Sequence, residues 1–254
     1  MTSWATGLPN SPRLDDLVAK VDADENVVGV ALTGSWVHGM ATEYSDVDLY
    51  LILRERSDDW RRSRVDGLDI ELCELRHFRK VPKDPGRWWN RYTMVRSRVV
   101  LDRLDGEITE LFARWGRLSD EETQIAIDYY FDPYLAYTDR CLREHRVNLA
   151  MAAHLDAVES LAWAVRLMFA LNQRVPPTNK YLTWELEKFP FDRPGWEPQV
   201  LLDLIRRILV SGDADAVRTM FDLFEPALRA RGFGGALDLW TETVALAQRS
   251  PQVY

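Results

Sequence analysis

Asp46 and Asp48 stand two residues apart at the head of "DVDLYLIL", and no other feature limits the fold of this 254-residue chain as strongly. The rest of the octet is apolar or aromatic, the pattern of a buried strand, and residues two apart on a strand share a face. The two carboxylates therefore project side by side, while Leu49, Leu51 and Leu53 take the opposite face. Two ionised acids so close in a half-buried sheet repel each other and are costly unless a cation neutralises them. The alternative, a solvent-facing strand edge, leaves the apolar company of these acids unexplained.

The surrounding sequence supplies the rest of a sheet. "SPRLDDLVAKV" predicts a helix with Ser11 as N-cap and Pro12 at its first position. "NVVGVALTG" is a continuous β-branched run ending in Gly34, the signature of a strand buried on both faces. "GLDIELCEL" predicts a third strand and "RVVLDRLDG" a fourth, closed by an Asp-Gly turn. From about Leu118 the period becomes helical, with one long apolar pattern running to Gln173, then a break at "RVPPTNK", then further helices at "YLTWELEKF", "PQVLLDLIRRILV", "DADAVRTMFDLFEPALRA" and "GALDLWTETVALAQ". The expected fold class is α+β: a mixed-sheet domain over residues 1–117 followed by an α-helical bundle over 118–254.

Magnesium is the natural counter-ion for the paired aspartates, because it takes hard oxygen ligands and is usually held by one or two carboxylates plus substrate phosphates. Gly34-Ser35 is complementary, since a glycine at a strand end lets backbone approach a phosphate and the following N–H groups and the Ser35 hydroxyl can bind one. Gly39 is placed to end a brief helix before the chain returns to the aspartate strand. A third acid would complete a two-metal site. Asp69 and Glu71 share a face by the same period of two, and either lies beside Asp48 if the two strands pair; Glu71, deeper in its strand, is preferred.

Gly-Ser, ten residues, Asp-Val-Asp, and then an apolar-flanked acid on a later strand resemble the DNA polymerase β-type nucleotidyltransferase superfamily over residues 26–75. A looser match, "LAWAVRLMFALNQRVPPTNKYLTWELEKFP" at 161–190, is similar to the aminoglycoside and lincosamide nucleotidyltransferases that modify antibiotics. The resemblance implies two Mg2+ ions, ATP or another nucleoside triphosphate as co-substrate, and transfer of AMP or another NMP to a hydroxyl of a small molecule with release of pyrophosphate. It implies a triphosphate contact for Lys180. It extends to toxin and antitoxin enzymes with protein or tRNA acceptors, and to families whose cleft lies between two subunits, which leaves a homodimer open. A catalytically silent nucleotide-binding module on the same fold is the remaining alternative.

Charge narrows the acceptor. Residues 1–117 hold 18 basic and 20 acidic side chains, a net of -2, while 118–254 hold 14 and 20, a net of -6. An acidic chain argues against nucleic acid, and an acidic second half favours a cationic acceptor. On the predicted helices Asp139 and Arg143 are candidates for a base and a phosphate contact, against the alternative of a surface ion pair. Asp156 and Glu159 are candidates for meeting a cationic substrate, against a solvated face. "RRSR" at 61–64 is expected to be solvated charge in a loop, and Trp88 and Trp89 to be core rather than stacking platforms. The four histidines show no metal spacing. Two cysteines, Cys73 and Cys141, form no disulfide framework, and neither a leader-like start nor a run of ~20 apolar residues is present, so a cytoplasmic protein without membrane attachment is expected.

Overall fold

The structure is a computed structural model and describes residues 5–8, 12–240, 243 and 245. Chain contacts divide it into two compact units, Met1–Arg117 and Leu118–Tyr254.

In the first unit, helix α1 (Pro12–Ala23) leads into β1 (Val27–Thr33), a four-residue helix α2 (Gly34–Val37) and β2 (Val47–Leu53). Then come β3 (Ser63–Val65), β4 (Leu68–Glu74), two short helices α3 (Leu75–Phe78) and α4 (Tyr92–Val95), β5 (Arg98–Asp102) and α5 (Glu107–Trp115). Pro12 opens α1 as expected; the Ser11 cap lies outside the described residues. Among the described residues the strands form one mixed sheet in the order β3-β4-β2-β1-β5, with β2 and β4 parallel and the other neighbours antiparallel.

Both faces of this sheet are covered, which is why β1 reads as unbroken apolar sequence. On one face Leu14, Leu17 and Val21 of α1 pack with Val30, Leu32, Leu49, Leu51 and Leu53. On the other, Ile108, Phe112 and Trp115 of α5 pack with Val28, Ala31 and Ile52. Gly29 permits that seat: a Cβ there would come 2.7 Å from Ile108 Cγ2. Each fully buried aliphatic contributes roughly 1.5–3 kcal/mol. Tyr50, edge-on to Phe112 at 6.3 Å between ring centroids, is the outermost aromatic contact of β2 on this face. The next row outward along the same face is polar.

One expectation changes here. Residues 61–64 are not a plain loop, because Ser63–Val65 pairs with β4 as the edge strand of the sheet. Asp66 and Gly67, at φ 51 and 77, form the tight turn of this hairpin, the backbone that Asp-Gly favours. Trp88 is core: it is buried and donates Nε1–H to the Pro82 carbonyl at 2.6 Å. The side chain of Trp89 lies outside the described set.

The second unit is helical. Helix α6 (Asp120–Arg146) begins with a full capping box between Ser119 and Glu122. The long helical pattern breaks once more than its periodicity suggests, at Val147–Leu149, where Asn148 adopts φ 60 before α7 (Ala150–Leu171). The two helices run antiparallel, with Thr138 bonded to Ser160 at 2.8 Å between them and the Leu118 N–H donating to Gln173 near the far end. After a turn at Asn179–Tyr181 come α8 (Leu182–Lys188), α9 (Pro198–Ser211), α10 (Ala214–Ala230) and α11 (Gly234–Leu239). Arg174 and the fully buried Glu185 form an ion pair that ties the loop after α7 to α8. No helix among the described residues is long and apolar enough to cross a membrane.

Candidate active site

The polar row beyond Tyr50 follows from strand register. Thr33 on β1 is opposite Asp48 on β2, Asp48 is opposite Asp69 on β4, and Asp69 is opposite Arg64 on β3. One step deeper, Ala31, Tyr50 and Glu71 are aligned in the same way. Directly opposed residues point to the same face. The parallel pair β2 and β4 therefore brings Asp46, just before β2, and Asp48, Asp69 and Glu71, which together span 26 positions of sequence, to one patch. Asp69 is the register neighbour of Asp48, and Glu71 the neighbour of Tyr50.

Gly34 is fitted to this patch. It adopts φ 67, and a Cβ on it would lie 1.8 Å from Asp48 Oδ2, so the carboxylate rests against the glycine Cα. Any side chain at 34 would collide with the acid as well as strain the backbone. The loop is held from behind by His38, whose Nδ1 lies 2.6 Å from the Gly34 carbonyl and whose Nε2 lies 3.2 Å from the Tyr92 hydroxyl. Ser35 is buried in the first turn of α2, and its carbonyl accepts from the Met40 N–H at 2.9 Å. Gly39, at φ 66, follows the end of that helix.

The "RRSR" arginines are not simply solvated. Arg64 reaches Asp46 Oδ2 with NH2 at 3.2 Å and Asp69 Oδ2 with Nε at 3.6 Å, so one guanidinium bridges two acids. Arg62 forms an ion pair with Glu71. Burial pushes the Glu71 carboxyl up, Arg62 opposes the shift and Asp69 adds to it. Glu71 Oε2, the oxygen that meets Arg62, is sealed from solvent. Farther along the same face, burial raises the Cys73 thiol to about 11, so it is protonated at neutral pH. These arginines, with His38 and Tyr92, are the neighbours of the patch that the sequence reading missed. Their signal is Arg62-x-Arg64 mirrored by Asp69-x-Glu71 across an Asp-Gly turn.

The patch fits a divalent cation by donor chemistry: hard carboxylate oxygens converge on one face, and a cationic group already sits between Asp46 and Asp69. Among the described residues, however, no three His, Cys, Asp or Glu side chains are gathered closely enough to hold a metal as they stand.

The helical candidates are distributed differently. Asp139 and Arg143 pair along α6 at 2.8 Å, and Asp139 also accepts from the Thr243 hydroxyl at 2.8 Å. Asp156 lies 3.6 Å from Arg140 across the α6–α7 pair, and Glu159 is exposed one turn on. Lys180 is exposed in the Asn179–Tyr181 turn, 5.4 Å from the Tyr181 ring centroid. Asp139 with Arg143 and Asp156 with Arg140 form separate local pairs.

Residues 14–130 match the family model of the nucleotidyltransferase domain. A solved structure of a nucleotidyltransferase-like protein from Exiguobacterium sibiricum 255-15 is similar at 16% sequence identity, covering 89% of this chain and 76% of that one with a TM-score of 0.48. No curated relative matches the sequence. The family match spans the glycine turn and every acid of the polar row, so residues 14–130 of this chain are those of a nucleotidyltransferase domain.

Proposed function

We propose that the enzyme moves AMP, or another NMP, from a nucleoside triphosphate to a hydroxyl of a small cationic acceptor such as an aminoglycoside- or lincosamide-like antibiotic, in a magnesium-dependent reaction. The observation that carries this reading is the Asp48 carboxylate resting on the Cα of Gly34, with Asp69 as its register neighbour, inside a nucleotidyltransferase domain. A phosphate turn and a divalent-cation patch then share one spot.

Asp46, Asp48 and Glu71 would hold two Mg2+ ions, which when bound stabilise the entering and leaving oxygens of a phosphoryl displacement. Gly34, Ser35 and Lys180 bind the phosphates, and Arg143 is a further phosphate contact. Asp69 or Glu71 takes the proton from the acceptor hydroxyl, with Asp139 as the helical alternative. That oxygen bonds to the α-phosphorus, the bond from the α-phosphorus to the bridging oxygen breaks, and pyrophosphate leaves with the bonding pair. Asp156 and Glu159 attract the cationic acceptor, in line with the net -6 of residues 118–254.

Pyrophosphate release from ATP, CTP, GTP and UTP, measured with magnesium against a panel of aminoglycosides and lincosamides, tests the reading. Release dependent on one acceptor supports it. Release only with tRNA or protein acceptors replaces the small molecule. No release and no nucleotide binding would reduce the chain to a silent module.

A further inference from the structure

Among the described residues, three acids of the polar patch, Asp46, Asp69 and Glu71, meet the guanidinium groups of Arg62 and Arg64. We propose that Arg62 and Arg64 are the counter-cations of the metal-free site and that metal loading releases them to the triphosphate, an inference that rests on the nucleotidyltransferase reading of the same patch.

Three observations carry it. First, the pairing is matched row by row: Arg64 is opposite Asp69 in β3–β4 register, and Arg62, two residues earlier, reaches Glu71, two residues later. Second, the arginine side chains are 72% and 76% exposed while their acids are 28–33% exposed, so only the tips engage. Such pairs contribute little to stability and separate at small cost. Third, the acids are not gathered as a metal cage among the described residues, although their donor chemistry suits one.

A divalent ion brings twice the charge of a guanidinium and coordinates carboxylate oxygen directly, so it outcompetes Arg62 and Arg64 at the acids. The released groups remain on and just before the three-residue strand closed by the Asp66-Gly67 turn, beside the patch where triphosphate would arrive. A guanidinium then finds a better partner in phosphate, whose oxygens match its planar fork. The bland alternative, charges that merely protect an exposed sheet edge, gives these arginines no stake in either ligand.

Calorimetric titration of the full chain separates the two. Manganese is titrated alone, and a non-hydrolysable ATP analogue is titrated at saturating magnesium, for wild type, R62Q/R64Q and R62K/R64K. The expected result is opposite shifts in R62Q/R64Q: manganese binds about fivefold tighter, because the competing cations are gone, and the analogue binds about tenfold weaker. The lysine pair should retain the manganese competition and lose part of the nucleotide affinity, because Lys keeps the charge without the fork. A purely structural role would move both affinities the same way or neither. Wild-type affinities in R62Q/R64Q would overturn this inference while leaving the site reading intact. A wild type that binds neither manganese nor the analogue would overturn both.

Discussion

The two units treat their charged residues in opposite ways. In the sheet unit, acids far apart in sequence converge because neighbouring strands fix which residues stand side by side, and the nearest cations come from yet another strand. In the helical unit two of the candidate acids find a partner on their own helix or on the helix beside it: Asp139 with Arg143, Asp156 with Arg140. Register concentrates like charge, whereas the helical i,i+4 spacing tends to neutralise it locally. Concentrated like charge needs counter-cations, and that is the ground on which we propose the sheet patch as the chemical centre.

Substitutions in the two units sharpen or break this contrast. The largest effect belongs to Asp48→Asn, which removes a charge but little volume. It should lower acceptor-dependent pyrophosphate release about 1,000-fold with an unchanged circular dichroism spectrum. Retained turnover would mean that the sheet acids are not a metal site. Next, Arg174→Ala in the helical unit removes the ion-pair partner of the buried Glu185 and should destabilise the protein by about 3–5 kcal/mol in denaturant unfolding, showing that this unit's strong pair is structural.

A smaller effect is expected of Lys180→Ala. It should raise the KM for the nucleotide about tenfold with less change in kcat, and an unchanged KM would remove the residue from the phosphate site. Smallest is the stability effect of Arg143→Ala, within about 0.5 kcal/mol, since its partner Asp139 keeps the Thr243 hydroxyl and the pair is half exposed. A large loss of pyrophosphate release at wild-type stability in that variant would show that this local pair also reaches the chemistry, and would blur the contrast.

Much of this was legible in the sequence because period-two patterning reveals a face. Asp46 with Asp48, and Asp69 with Glu71, were assignable to single faces before any coordinates, as was the need for glycine at 34. Register was not legible: nothing in "GLDIELCEL" says that Asp69 rather than Glu71 lies opposite Asp48, because parallel pairing is fixed by the packing of the whole sheet. The edge strand was missed because three residues are too few to display a period, although the Asp-Gly turn after it was in plain view. The collision between a residue-34 side chain and Asp48 is likewise a tertiary fact, since sequence explains that glycine only by phosphate approach. The break at Asn148 was hidden by apolar spacing that runs on from α6 into α7.

The most direct test is a crystal structure of the enzyme with Mg2+ and an ATP analogue whose α–β bridging oxygen is replaced by a methylene group. The account predicts metal density between the Asp46 and Asp48 carboxylates and the α-phosphate, with a phosphate against the Gly34–Ser35 turn. Nucleotide bound elsewhere, or Asp46 still turned to Arg64 with no metal beside it, would contradict it.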